Sequence, residues 1–206
     1  MSQKCNGLLS LCLALSLPLL APAWADEAVE EPVAEVESAE AAPADFLPTY
    51  SATLKQLGAN YTMHLRGIEG SDSVSFDVRT DQVVTRARLH LEYSYSPALL
   101  PDLSQINLMI NDQVAASLPV PKESAGSLQQ QVVDIPPHLI TGFNRLTLQL
   151  IGHYTMMCED PLHTSLWAKI SNTSRLELET TPIALPDDLA QLPLPFFDIR
   201  DSRLLE

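Results

Sequence analysis

Basic side chains are scarce. The chain of 206 residues holds 12 Lys and Arg against 26 Asp and Glu, a net charge of -14. That balance argues against nucleic acid as a partner, because phosphates are held by Lys and Arg. It argues equally against a surface held to anionic lipid. Glycine is also scarce, with 7 against 16 prolines, which suits short strands with stiff connections better than long helices. Cysteines are few, and Cys5 and Cys12 fall within the first 25 residues, leaving Cys158 alone in the remainder. Beyond residue 25 no apolar run reaches the length of about 20 residues that a spanning helix needs. No internal repeat and no sustained helical periodicity is found.

The first 25 residues do have a long apolar run. Lys4 precedes Leu8–Leu20, and Ala23-Trp24-Ala25 follows as a small-residue cleavage signal. This is the pattern of a secretory signal peptide, so residues 1–25 are expected to be removed on export. The thiol of Cys158 then faces an oxidising compartment, where it is expected to be buried or to pair outside this chain. Residues 26–45 are acidic. Asp26, Glu27, Glu30, Glu31, Glu35, Glu37, Glu40 and Asp45 occur without a single base, among Ala, Val and Pro. Such a segment cannot bury enough surface to offset the entropy of ordering, and is expected to be a disordered tail.

From residue 46 the signals are those of short strands. Across Val84–Ser96, Ala87, Leu89, Leu91, Tyr93 and Tyr95 alternate with Arg86, Arg88, His90, Glu92 and Ser94. A period of two places one set in a core and the other in solvent. Ile106, Leu108 and Ile110 repeat the pattern, followed by an Asn111-Asp112 hairpin turn and a return strand through Val114, Ala116 and Leu118. Leu128–Ile135, Arg145–Ile151 with Leu146, Leu148 and Leu150 inward, Leu166–Ile170, and Ser174–Thr181 with Leu176 and Leu178 inward add further strands. Thr49–Leu57, Tyr61–Leu65 and Ser73–Val78 precede them, the last two separated by a turn-rich Gly67–Asp72. Phe143 reads as a core plug. Eight or nine short strands with one apolar face each predict an all-β, antiparallel β-sandwich over residues 46–181. Residues 182–206 read as a proline-spaced linker with a helical turn within Leu185–Leu192, and with Phe196 and Phe197 left uncovered.

Reactive side chains concentrate between Gly152 and Lys169, in the run GHYTMMCEDPLHTSLWAK. Zinc takes His, Cys and carboxylate ligands, but the order His153, Cys158, Glu159, Asp160, His163 matches no ligand spacing, and no metal is expected. Glycoside hydrolysis needs two separated carboxylates, whereas Glu159 and Asp160 are adjacent. Cys158 with His153 or His163 lacks any context for an oxyanion hole. No catalytic residue and no cofactor is therefore expected. Sugars bind on exposed aromatic faces flanked by hydrogen-bonding side chains, because the C–H face of the ring stacks while its hydroxyls need polar partners. On that ground His153, Tyr154, Glu159, Asp160 and Trp167 are the candidate glycan-binding residues. Alternation places Trp167 with Lys169, opposite Leu166 and Ile170. The Arg86, Arg88 and His90 stripe reads as a solvated strand face.

The segments LRGIEGSDSVSFDVRTDQVVTRARLHLEYSYSPALLPDLSQINLMINDQ (65–113) and NRLTLQLIGHYTMMCEDPLHTSLWAKIS (144–171) resemble the regulatory subunit of bacterial cellulose synthase. The similarity runs from about Tyr61 to the chain end. The resemblance implies a jelly-roll domain like a carbohydrate-binding module, a periplasmic location and the catalytic subunit of cellulose synthase as partner. That partner makes glucan from UDP-glucose, so nascent cellulose is the implied polymer. It implies inner-membrane attachment through a C-terminal anchor that this chain lacks, and makes residues 182–206 a linker toward a flavodoxin-like domain that is also missing. The family is also named for binding cyclic di-GMP. A cytosolic dianion is a poor match for an exported acidic chain without an Arg-rich phosphate motif, so binding is not expected. The resulting expectation is a non-catalytic periplasmic module that guides glucan. The alternatives are an assembly module that packs on other subunits without binding sugar, and a secreted glycan hydrolase.

Overall fold

A computed structural model describes residues 49–184, 189–193 and 196–200. The leader, the acidic tail, residues 46–48 and part of the helical turn read within Leu185–Leu192 lie outside them. Among the described residues ten strands form: β1 (Thr49–Thr53), β2 (Met63–Arg66), β3 (Glu69–Asp77), β4 (Gln82–Tyr95), β5 (Gln105–Ile110), β6 (Gln113–Pro119), β7 (Gln129–Ile135), β8 (Phe143–Ile151), β9 (Trp167–Ile170) and β10 (Arg175–Pro182). All pairings are antiparallel.

Two sheets result. In one, β2 pairs β9, β9 pairs β4, and β4 pairs β7. In the other the order is β3-β8-β5-β6. Two four-stranded sheets in these orders are a jelly roll, in which every connection from β2 to β9 except the β5–β6 hairpin passes between the layers. β10 and β1 extend the first sheet along the edge of β4 below β9. The long β4 is the spine, because Gln82–His90 pairs β10, Tyr93–Tyr95 pairs β9, and its opposite edge takes β7.

The core lies between the sheets and follows the alternation. Leu89, Leu91, Tyr93 and Tyr95 of β4 meet Leu146, Leu148 and Leu150 of β8, Ile106, Leu108 and Ile110 of β5, and Leu176 and Leu178 of β10 in one buried cluster. The two buried tyrosines keep their hydroxyls satisfied. Tyr95 donates to the Pro121 carbonyl at 2.6 Å and Tyr93 to Gln131 Oε1 at 3.1 Å. Asn111 and Asp112 sit at φ of 51° and 65°, the left-handed pair that a two-residue hairpin turn requires.

Three expectations need correction. β3 begins at Glu69 rather than Ser73, and the segment read as turn-rich runs paired to β8 as far as Ile151. The true turn is at Gly67, with φ of 85°, where an added Cβ would lie 2.9 Å from the Pro161 carbonyl oxygen. Phe143 is not a core plug. It starts β8 on the outer face, 67% exposed, with the Arg200 guanidinium 5.4 Å from its ring centre. Val114 is likewise exposed, because a bulge between Leu108 and Met109 shifts the β5–β6 register and turns it outward.

Of the C-terminal segment, residues Leu189–Gln191 form a 3-10 turn, and Phe196 and Phe197 are exposed. Asp198 fastens the segment to the β3–β4 turn. Its Oδ2 accepts from the Thr80 amide and hydroxyl, each at 2.8 Å, and its Oδ1 from the Arg200 amide at 3.0 Å. Burial pushes this carboxyl upward, but the donors outweigh it and hold it far below the usual range.

Candidate functional site

The stretch from Gly152 to Leu166 is an internally bonded loop joining β8 to β9. Its entry is clamped, because Gly152 donates to the Ile68 carbonyl at 2.8 Å and the His153 carbonyl accepts from the Leu100 amide at 2.8 Å. The His153 amide donates to Ser104 Oγ at 2.9 Å. Beyond that point the loop has no strand partner; the His163 and Leu166 amides go to the carbonyls of Asp160 and His163, and side chains take other backbone donors.

Glu159 is the first of these. Its carboxylate turns back on the loop, with Oε2 2.7 Å from His153 Nδ1 and Oε1 accepting the Tyr154 amide at 2.7 Å. The Tyr154 amide, and after it the His153 ring, hold the Glu159 carboxyl below its ordinary range against the cost of its partial burial. The side chain keeps 11% of its surface exposed. The Tyr154 hydroxyl accepts the Asp160 amide at 3.0 Å, and Asp160 Oδ1 accepts the Leu162 amide at 3.1 Å. The Tyr154 ring then stacks on His163, with centroids 4.4 Å apart and planes 19° from parallel. His163 Nδ1 lies 2.7 Å from Ser165 Oγ. Outside this frame Met156, Met157, Cys158 and Leu162 stand in solvent.

The structure therefore brings His153, Tyr154, Glu159 and Asp160 into one bonded unit. Trp167 is placed apart, at the start of β9 and opposite Arg66. It is half-buried, and Lys169 Nζ lies 5.4 Å from its ring centre. The alternation with Lys169 holds, but the ring is not a free platform. His163 belongs with the site and is absent from the sequence-based set. Its partner Tyr154 is nine positions away in an aperiodic loop, so no spacing rule links them. Cys158 is exposed and unpaired, not buried, because the loop tip that carries it folds outward from the Glu159 clasp.

Little of this geometry fits bond-making chemistry. A glycosidase acid needs a carboxyl whose pKa is raised, whereas Glu159 is stabilised as an anion. The imidazole of His153 is held by Glu159, and that of His163 by Tyr154 and Ser165. Among the described residues no three His, Cys, Asp or Glu side chains gather as a metal-holding group.

The polar stripe on β4 is more organised than a solvated face. Arg88 Nη2 lies 3.1 Å from Glu179 Oε1, and His90 Nε2 lies 2.8 Å from Glu177 Oε2. His90, followed by Arg88, keeps the Glu177 carboxyl below its ordinary range despite desolvation. Beside this ladder a cavity of about 460 Å³ opens between β10, β4 and β7, lined by His90, Glu92, Gln130, Val132, Thr173 and Arg175. The alternation announces the stripe. The pairing with β10 depends on a register that no local pattern encodes.

Residues 48–182 match the family model described as cellulose synthase BcsB, first CBM domain. A cyclic di-GMP-binding protein of Pseudomonas fluorescens (strain SBW25) is 69% identical over 154 residues, covering 75% of this chain and 20% of that protein. One of Xanthomonas axonopodis pv. citri (strain 306) is 53% identical over 166 residues, covering 81% and 21%. Cellulose synthase 2 of Novacetimonas hansenii is 36% identical over 151 residues, covering 73% and 9%. The chain thus spans about a fifth of the length of the first two relatives. Among solved structures, a sugar-binding protein, the EclA C-terminal domain, aligns with a TM-score of 0.34 at 11% identity, covering 69% of this chain and 88% of that one. The chain belongs to the cellulose synthase BcsB family, and residues 48–182 are its first CBM domain.

Proposed function

We propose that this domain is a non-catalytic, periplasmic module of cellulose synthase that contacts the glucan and guides it away from the catalytic subunit. The single observation that carries this reading is the Tyr154–His163 stack. A loop that uses its own carboxylate to hold an aromatic pair beside exposed Met156, Met157 and Leu162 offers apolar surface for the C–H face of a sugar ring. The periplasmic location rests on the leader pattern, and the catalytic subunit as partner rests on the family. Membrane attachment belongs, in this proposal, to the family's C-terminal anchor and not to this domain.

The half-buried Trp167 favours a second reading, in which this side of the module packs on other subunits and binds no sugar. Cyclic di-GMP, named in the relatives, is not part of the proposal. The arginines of the β4 stripe are engaged by Glu177 and Glu179, and a net charge of -14 repels a dianion.

Titration with cellohexaose tests the proposal, with Trp167 fluorescence as reporter in a Trp24→Phe background and calorimetry alongside. Saturable binding that Tyr154→Ala weakens is expected. No response at millimolar sugar would favour the packing reading.

A further inference from the structure

The outer face of the β3-β8-β5-β6 sheet holds an arrangement that the loop does not explain. Phe143 stands exposed at the start of β8, directly opposite Asp77 of β3, with Ser75 opposite Arg145 one step further. The Asn111-Asp112 turn closes the end. Together Ser75, Asp77, Asp112, Phe143 and Arg145 line a cavity of about 390 Å³. Its floor is rigid. Asn144 is buried and accepts from the Thr141 amide at 2.7 Å and from Asn111 Nδ2 at 3.1 Å. Asn111 Oδ1 in turn accepts the Arg145 amide at 3.0 Å. Arg200 packs on the Phe143 ring, yet the ring stays two-thirds exposed.

Away from the cavity the next two rows of the same face are uncharged, before Glu69 stands at the far end opposite Ile151. Ser73 lies opposite Thr147, which lies opposite Met109. The next row runs Ser71, Gln149, Asn107, Ser117 across all four strands. Asn107 Oδ1 accepts from Ser117 Oγ at 2.8 Å and from Gln105 Nε2 at 3.0 Å. A protein surface is ordinarily mixed in charge. A face of hydroxyls and amides leading to one exposed ring and a few bidentate groups is matched to a ligand that is uncharged and dense in hydroxyls. Four strands span about 14 Å, which suits an oligosaccharide better than a single ring.

We propose that this outer face is a saccharide-binding platform, separate from the β8–β9 loop. Phe143 stacks on a sugar ring, Asp77, Asp112 and Arg145 take its hydroxyls, and Ser71 and Gln149 take the sugars that follow, above a buried Asn107 that Ser117 and Gln105 hold in place. The choice of glucan as ligand rests on the functional reading above, while the position of the platform rests on the sheet itself.

Calorimetric titration of the protein with cellohexaose tests it, using wild type, Phe143→Ala, Phe143→Trp, Gln149→Ala and Tyr154→Ala, with thermal melts of each. Loss of one stacking ring is expected to weaken binding about five- to tenfold in Phe143→Ala, at unchanged melting temperature. Phe143→Trp is expected to retain binding, and Gln149→Ala to weaken it by about threefold, the effect of one neutral hydrogen bond. Binding lost in Phe143→Ala but kept in Tyr154→Ala supports the platform and removes the loop from the ligand path. Binding lost in Tyr154→Ala but unchanged in Phe143→Ala overturns the platform and leaves the loop reading standing. Absence of binding by wild type at millimolar cellohexaose overturns both.

Discussion

Replacing Asn144 by Ala tests how the end of the four-stranded sheet is built. The side chain is 4% exposed and makes three close hydrogen bonds. It accepts from the Thr141 amide at 2.7 Å and from Asn111 Nδ2 at 3.1 Å, and it donates to the Thr141 carbonyl at 2.7 Å. A neutral bond contributes about 1 kcal/mol net, and a stranded buried group costs about 1–3 kcal/mol. Two features lower the sum. Asn111 Nδ2 keeps a second acceptor, the Leu139 carbonyl at 2.9 Å, and Thr141 is exposed, so water can reach its backbone. The expected loss is about 2 kcal/mol, or about 4–8 °C in melting temperature for a domain of this size. Urea unfolding of Asn144→Ala, Asn111→Ala and the double variant measures it. Because the two side chains touch, the double variant is expected to lose less than the sum of the singles. Strict additivity, or a loss in Asn144→Ala below about 0.5 kcal/mol, would show that the network does not hold the hairpin and β8 together.

Leu148→Ala removes a fully buried side chain from the inner face of β8 and is expected to cost about 2–5 kcal/mol, whereas Thr147→Ala on the outer face of the same strand should cost under about 0.5 kcal/mol. Similar midpoints for the two in a denaturant melt would contradict the assignment of faces. Asp81 is held low chiefly by the Arg79 guanidinium, with Nε–Oδ1 at 2.8 Å and Nη2–Oδ2 at 2.6 Å. A folded pKa below the unfolded value means the unfolded chain binds the extra proton. The stabilisation is therefore complete above about pH 4 and lost as pH falls through the folded value. Asp81→Asn should lower stability at pH 7 and converge with wild type in acid, and a constant gap across pH would refute the ion pair as its source. Glu159→Ala should speed hydrogen exchange at the Tyr154 amide by at least about tenfold, the effect of losing a charge-assisted bond, without moving exchange in β8. Unchanged exchange at Tyr154 would show that the clasp does not close the loop.

The parts of the fold that are readable in the sequence are those where one face is buried and the other wet. In β4, β8 and β10 the alternation of Leu and Tyr with charged residues matches the burial almost position by position, because the period of a strand is two. β3 is only half visible. Its first residues, Glu69 to Ser73, are those of a loop, and they pair because β3 is the sheet edge, where small polar side chains are tolerated beside the ladder to β8. Gly70 is required there, since an added Cβ would meet the Arg66 backbone at 2.3 Å. Phe143 misleads through its hydrophobicity, although its parity is available. It is out of phase with Leu146, Leu148 and Leu150, and phase outranks residue type on a strand with one buried face. At the candidate site, composition locates the loop but not its internal order. The Glu159 clasp and the Tyr154–His163 stack depend on where an aperiodic loop turns, and that is settled by entry and exit points on strands far apart in the chain.

The charges of this domain bear on whether it makes bonds or holds a ligand. A catalytic carboxyl or histidine must be poised near the working pH, which requires an environment that disfavours its charge. Most of the prominent acids here run the other way, Asp77 being the exception, its carboxyl pushed up by burial. Glu159, Glu177, Asp81 and Asp198 are all held in the ionised form by donors from this chain. Each has its hydrogen-bonding capacity directed at the fold, Glu159 at a loop, Glu177 at a strand pair, Asp81 and Asp198 at the turn between β3 and β4. What remains uncommitted is of a different kind. It is the exposed thioethers and aromatic stack of the β8–β9 loop, and the ring, hydroxyls and amides on the outer face of the second sheet, with Asp77, Asp112 and Arg145 beside the ring. Apart from the His163 imidazole, which Tyr154 and Ser165 engage, and the Asp77 and Asp112 carboxyls, groups of that sort do not exchange protons with a substrate at neutral pH. In the proposed reading they supply contact area and hydrogen bonds over a length of chain. In the proposed reading such a surface holds a polymer weakly at many points, which permits movement along it.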